Sequence, residues 1–110
     1  MKRGDIVFVR NERSNCTGSE QTNTRPAVVV SNDKCNCYSP VIEVVYTTTQ
    51  RKKKDLPTHV FLHSTPRPSI ALCEAVYSVD KSRIMEMVGK CTTNEMLKIN
   101  RALKVSLGLT

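Results

Sequence analysis

Apolar and polar residues alternate in short stretches along most of this chain, and the period changes once, near the C-terminus. From Gly4 to Arg10 the residues alternate around Ile6 and Phe8 on one side and Val7 and Val9 on the other, which predicts a first strand. The next apolar stretch begins Thr24-Arg25-Pro26 and continues as the unbroken run Ala27-Val28-Val29-Val30. A β-branched run of this kind suits a strand covered on both faces. Pro26 lacks a donor and belongs at a strand's first residue or on an edge. Ser31-Asn32-Asp33 then supplies turn residues. Lys34 to Pro40 reads as a connection, and Val41 to Thr49 as a further strand. Pro57 to Leu62 is a shorter strand between prolines, and Thr65-Pro66-Arg67-Pro68 is a loop. Ser69 to Tyr77 fits strand or helix by period, and its place in a β series favours strand. Ile84 to Gly89 alternates weakly.

At Thr92 the period becomes helical. Thr92 as N-cap with Glu95 three residues on predicts a capping box. Met96, Ile99, Leu103 and Leu107 fall on one face and read as core packing, and Gly108 suits the stop. Short strands followed by one helix predict a mainly β fold, a small and partly open β-barrel with a C-terminal α-helix. No internal repeat or composition break divides the chain, so residues 1–110 are expected to form a single domain.

Composition sharpens this picture in two ways. The hydrophobic share is 39% with two Phe, three Tyr and no Trp, so the core is expected to be aliphatic. A net charge of +7 and a pI near 9.4 favour polyanionic partners, nucleic acid first, with anionic membrane and acidic peptide behind it. No apolar stretch approaches the length needed to span a bilayer. Met1 to Asp5 runs into a strand pattern without the apolar region of a signal peptide, so a cytoplasmic protein without a membrane partner is expected. Cys16, Cys35, Cys37, Cys73 and Cys91 are odd in number and irregularly spaced, which suits free thiols in that compartment. Cys35-Asn36-Cys37 is not the C-x-x-C spacing of a zinc site, and no second pair follows.

Candidate chemistry gathers at a few polar positions. Pro26 pushes Arg25 into extended backbone and holds its guanidinium at the mouth of a rigid strand. An arginine held that way serves a bound anion or covers the barrel rim. Thr47-Thr48-Thr49 has the composition of a strand end. If the second and third strands pair antiparallel, Arg25 and Thr48 converge on one rim. His59 and His63 are four apart, but on a strand they stand roughly 13 Å apart, too far for one metal ion. His59 alone is a surface, a structural or a nucleic-acid-contacting residue. Arg51-Lys52-Lys53-Lys54 is a solvated loop or, beside a nucleic acid, a set of phosphate contacts. Asn11 to Thr24 is a long polar connection of the kind that carries function or moves.

Four segments then carry a resemblance. G-D-I-V at 4–7, G-S-E-Q at 18–21, R-P-A-V-V-V-S-N-D at 25–33 and L-P-T-H-V at 56–60 occur in the order found in the MazF/PemK toxins. E-A-V-Y-S-V-D-K-S-R-I at 74–84 is similar to that family's distal segment. The resemblance runs from about Arg3 to the C-terminal helix. It implies an SH3-like or CcdB-like barrel that forms a homodimer. It also implies a toxin endoribonuclease of a type II toxin–antitoxin pair, needing no metal or other cofactor. Such enzymes cut single-stranded RNA at a short motif through the RNA 2′-hydroxyl. By position Arg25 matches the catalytic arginine and Thr48 the catalytic hydroxyl residue. Ser19, Glu20 and Gln21 would contact bases from the long loop, His59 would face RNA, and Asn36 would contribute from the next loop. The implied protein partner is an antitoxin whose acidic disordered tail covers the RNA groove. Thr22-Asn23-Thr24 stands where family members often carry glycines, which makes this loop's backbone less permissive. Two other readings stand beside this one. Charge and fold alone fit a non-catalytic basic nucleic-acid-binding barrel. A CcdB-type gyrase poison would act through a C-terminal tryptophan, and this chain has none.

Overall fold

A computed structural model describes residues 1–11, 24–50 and 56–109. In chain order it contains β1 (Asp5–Arg10), β2 (Thr24–Val29), α1 (Asp33–Tyr38), β3 (Val41–Thr48), β4 (His59–Leu62), β5 (Ser69–Leu72) and β6 (Tyr77–Asp80). A 3-10 turn (Lys81–Arg83), β7 (Ile84–Lys90) and α2 (Thr93–Leu107) follow. The seven strands form one antiparallel sheet in the order β4-β5-β3-β2-β1-β7, with β6 pairing β3. The end strands β4 and β7 do not pair with each other, so hydrogen bonds do not close the sheet. The mainly β class with one long C-terminal helix agrees with the sequence pattern.

Strand pleating divides the apolar residues between two buried clusters. One face gathers Ile6, Val28, Val45, Val60, Leu62 and Ala71 beneath Ile99, Ala102 and Leu103 of α2. The other gathers Val7, Val9, Ala27, Val29, Ile42, Val44 and Val79. Successive residues of β1, β2 and β3 therefore alternate between clusters, as a period of two requires. Ala27, Val28 and Val29 are all fully buried, which is why the β2 run is apolar without a break. Burying each of the two valines contributes about 1.5–3 kcal/mol relative to exposure.

The predicted capping box is present and does more than start α2. Thr92 Oγ1 accepts from Glu95 N (3.1 Å), and the Glu95 carboxylate accepts from Thr92 N (2.8 Å). The same carboxylate accepts from His63 N (2.7 Å), Ser64 N (3.3 Å) and Ser64 Oγ (2.7 Å), tying the helix start to the exit of β4. Burial alone would raise this carboxyl's pKa. The hydrogen bonds from Ser64, Thr92 and His63 outweigh that, and it lies below its ordinary 4.5. Nearby, a Cβ on Gly89 would stand 2.6 Å from the Ser64 carbonyl oxygen, so only glycine fits this crossing. Gly108 ends the helix in the left-handed conformation (φ 69°), its N–H reaching the carbonyls of Lys104 and Val105.

Three local expectations need correction. Lys34 to Pro40 contains the short helix α1, started by Asn32, whose side chain accepts from Cys35 N (2.8 Å). Ser69 to Tyr77 is not one strand. β5 pairs Ala71 with Thr47 and β6 pairs Tyr77 with Val44 along the same edge of β3. More chain separates the two partners than β3 can match, so the surplus turns out between Leu72 and Tyr77. Leu107 is exposed, although Ile99 and Leu103 on the same stripe are buried. The sheet does not reach the last helical turn. Among the described residues no helix is long and apolar enough to cross a membrane.

Candidate functional site

β2 and β3 pair with Ala27 opposite Tyr46 and Val28 opposite Val45. Carrying that register outward places Arg25 opposite Thr48. Residues opposite each other, and residues two apart on one strand, share a face of the sheet. Arg25, Ala27, Tyr46 and Thr48 therefore face the same way. Tyr77, opposite Val44, and Val79, opposite Ile42, join them on that face. The convergence of Arg25 and Thr48 expected from antiparallel pairing follows from this register.

Around Arg25 the side chains form an open cleft of about 790 Å³. Arg25, Tyr46, Tyr77 and Arg83 line it, with Asn11, Ser78 and Val79 completing the wall. The Arg25 guanidinium carbon lies 4.6 Å from the centre of the Tyr46 ring, a cation–π contact that aims the group. Tyr46 in turn meets Tyr77 edge to face, with centroids 5.2 Å apart and planes at 61°. Arg83, on the 3-10 turn, is anchored by donation from Nε to the Arg10 carbonyl (2.8 Å). Asp80 caps that turn by accepting from Ser82 N (2.9 Å). Hydrogen bonds from Ser82, aided by the Arg83 charge, hold the Asp80 carboxyl below its ordinary pKa. The sole salt bridge among the described residues is His59–Glu74, so no described carboxylate neutralises Arg25. A guanidinium without a described carboxylate partner, beside aromatic rings, suits a polyanion that also carries flat bases.

Thr48 shares the sheet face of this cleft by register but is not among the residues that line it. It is half-buried, and its Oγ1 accepts from Gln50 N (3.1 Å), which leaves the hydroxyl proton free to donate. Its neighbour Thr47 is buried and donates to the Pro26 carbonyl (3.2 Å), holding β3 to β2. The alternation of the strand thus assigns Thr47 to the fold and Thr48 to the rim.

His59 and Asn36 do not line the cleft. The His59 side chain is 8% exposed, and its Nε2 lies 3.3 Å from Glu74 Oε2. Thr58 Oγ1 donates to the other Glu74 oxygen (3.2 Å). Burial would raise the Glu74 carboxyl. Hydrogen bonds from its own backbone N–H, His59 and Thr58, together with the His59 charge, hold it lower instead. His59 therefore has its partner inside the fold. Asn36, expected to contribute to RNA contact, is 2% exposed, with its amide group bonded to Ser31 at both ends. It ties α1 back to Ser31 and presents almost no surface to a ligand. Ser19, Glu20, Gln21, Arg51, Lys52, Lys53 and Lys54 lie outside the described residues. Among those described, no cluster of His, Cys, Asp and Glu is arranged to hold a metal ion. Cys35, Cys37, Cys73 and Cys91 are free thiols.

Three residues of the cleft carry no sequence signal of their own. Tyr46 lies two before Thr48, and the strand period puts both on one face once Thr48 is suspected. Tyr77 and Arg83 reach the cleft through the pairing of β6 with β3, which no local pattern announces.

Comparison with known proteins agrees with this fold. The chain is 36% identical to "Endoribonuclease EndoA" of Bacillus subtilis over 113 aligned positions, covering 99% of this chain and 96% of that protein. It is 34% identical to "Endoribonuclease MazF" of Staphylococcus saprophyticus, covering 99% of this chain and 92% of that protein. Among solved structures, an endoribonuclease in complex with its cognate antitoxin, from Mycobacterial species, superposes with a TM-score of 0.83. That match has 25% identity and covers 100% of this chain and 97% of the other. The profile of the family described as "PemK-like, MazF-like toxin of type II toxin-antitoxin system" matches residues 2–107, and the chain belongs to that family.

Proposed function

We propose that this chain is a toxin endoribonuclease of a type II toxin–antitoxin system. It cuts single-stranded RNA at a short sequence motif, in the cytoplasm, with the RNA 2′-hydroxyl as nucleophile and no metal ion. The observation that supports this reading is the β2–β3 register, which carried outward puts Arg25 and Thr48 on one face of the sheet, the face where Arg25, Tyr46, Tyr77 and Arg83 line an open cleft. In the reaction the 2′-hydroxyl attacks the adjacent phosphorus in line with the departing 5′-oxygen. Negative charge builds on the phosphoryl oxygens as the bond breaks. The Arg25 guanidinium, already aimed by Tyr46, stabilises that charge without having to reorganise. Because an arginine side chain gives up its proton only reluctantly, charge stabilisation is the main role, with proton delivery to the leaving oxygen secondary. The Thr48 hydroxyl donates to the scissile phosphate or steadies the attacking hydroxyl. DNA lacks the nucleophile and is not cut.

The protein partner is an antitoxin with an acidic disordered tail, to which the net charge of +7 is complementary. Pairing into a homodimer belongs to the same reading, and the exposed Met85 and Met87 on the end strand β7 suit a covered surface. The loop residues Ser19, Glu20 and Gln21 read bases, and Arg51 to Lys54 add phosphate contacts.

The test is incubation of purified protein with a long single-stranded RNA in the presence of EDTA. Cleavage by wild type and its loss in Arg25→Ala are expected. Cleavage that chelator abolishes, or that survives Arg25→Ala, contradicts the mechanism. The second reading, a basic barrel that binds without cutting, rests on charge and fold alone. It predicts salt-sensitive RNA retention with no fragments.

A further inference from the structure

Tyr77 is half exposed at the start of β6, 50% of its surface open, while Val79 two residues on is buried in the same face. A large aromatic left open at a cleft wall costs apolar exposure that the fold itself does not require. Its ring is not loose, because the edge-to-face contact with Tyr46 fixes its orientation. Tyr46 is fixed in turn by the Arg25 guanidinium over its ring. These contacts put the guanidinium carbon within about 10 Å of the Tyr77 ring, the reach of a base from a neighbouring phosphate. Arg83 lines the same cleft as a second cation, anchored by donation from its Nε to the Arg10 carbonyl.

We infer that Tyr77 is a stacking platform for one RNA base flanking the bond that breaks, making it a substrate-positioning residue of the cleft. The inference rests on the RNA-cleaving reading above and adds a subsite to it. A base laid on the Tyr77 ring brings its phosphate toward Arg25, so stacking is turned into alignment at the reacting centre. Because every base has a π-face, this subsite contributes affinity and register more than sequence choice.

The experiment first maps the cut by sequencing fragment 5′ ends. Cleavage is then timed on a synthetic RNA containing that site and on copies with a single abasic nucleotide at each flanking position. On intact RNA, Tyr77→Ala is expected to raise KM about tenfold with a smaller change in kcat, and Tyr77→Phe to stay within about twofold of wild type. Removal of one particular base is expected to cost wild type about the same tenfold, and on that substrate Tyr77→Ala costs nothing further. Tyr77→Leu keeps apolar bulk without a π-face and is expected to match Tyr77→Ala, which separates stacking from packing. Thermal unfolding of each variant checks the fold. The inference is overturned if Tyr77→Ala leaves KM unchanged, if Tyr77→Leu behaves as wild type, or if the alanine penalty persists on every abasic substrate. Wild-type protein that leaves all RNA intact refutes the cleavage reading itself and this subsite with it.

Discussion

Glu95 and Arg25 are both charged residues at the start of an element, on opposite sides of one sheet, and their surroundings differ completely. Glu95 is 6% exposed and accepts hydrogen bonds from Thr92, His63 and Ser64. Arg25 is exposed, and among the described residues it meets an aromatic face instead of a carboxylate. The carboxylate is absorbed into the architecture, because its lone pairs are taken up by donors that would otherwise be stranded. The guanidinium is aimed by an aromatic ring and has no carboxylate partner among the described residues, so its charge is available to a ligand. The side under α2 spends polar groups on stability, and the side with the cleft holds them ready.

The sharpest way to break this contrast is to delete each charge and measure both stability and cleavage. Arg25→Ala should lower the RNA cleavage rate by at least about 100-fold. Its unfolding free energy should change by less than about 0.5 kcal/mol, since an exposed residue without a buried partner is removed. Glu95→Ala should show the reverse, losing about 3 kcal/mol in denaturant unfolding because several donors lose their acceptor together. The fraction still folded should cut RNA at the wild-type rate. Gly89→Ala drives a methyl against the Ser64 carbonyl and should cost about 2 kcal/mol, again without changing catalysis per folded molecule. Thr48→Val, which keeps shape and removes the hydroxyl, should slow cleavage about tenfold and leave the melting temperature nearly unchanged. If Arg25→Ala unfolds the protein, or Glu95→Ala abolishes cleavage by folded molecules, the division between the two sides is wrong.

Acid provides the gentlest probe. Glu95 and Glu74 both have folded-state pKa values below the ordinary 4.5, so their unfolded forms bind protons more readily. Their contribution is complete above 4.5 and is lost as pH falls through the lowered folded values. Melting temperature should therefore drop on acidification below 4.5, and Glu95→Gln should flatten that slope. A slope unaltered by Glu95→Gln would mean that other groups govern acid sensitivity.

What was legible in the chain depended on how many partners an element needed. β2 announced itself through its unbroken apolar run, and α2 through Thr92, Glu95 and the spacing of Ile99 and Leu103. Each of those signals is local. The shared face of Arg25 and Thr48 required one added assumption, that two successive strands pair antiparallel, and parity did the rest. The break after Leu72 was invisible because it arises from β3 taking two partners along one edge, a relation among three strands. Tyr77 and Arg83 entered the cleft by that same relation. Six-residue α1 is too short to show a period and is marked only by its Asn32 cap. Asn36 looked like an exposed loop residue because nothing in a polar stretch reveals that Ser31 folds back to satisfy its amide.

The thiols carry a practical consequence. Cys73 and Cys91 are buried beneath the helix, where burial first, and then the neighbouring charges of Glu74 and Glu95, push both to about 12. At neutral pH they are protonated and buried, Cys73 completely, whereas Cys35 and Cys37 stand exposed on α1. An alkylating dye should therefore tag α1 at once and enter the interior only when the barrel opens. The delay between the two reactions clocks that opening, with no engineered probe.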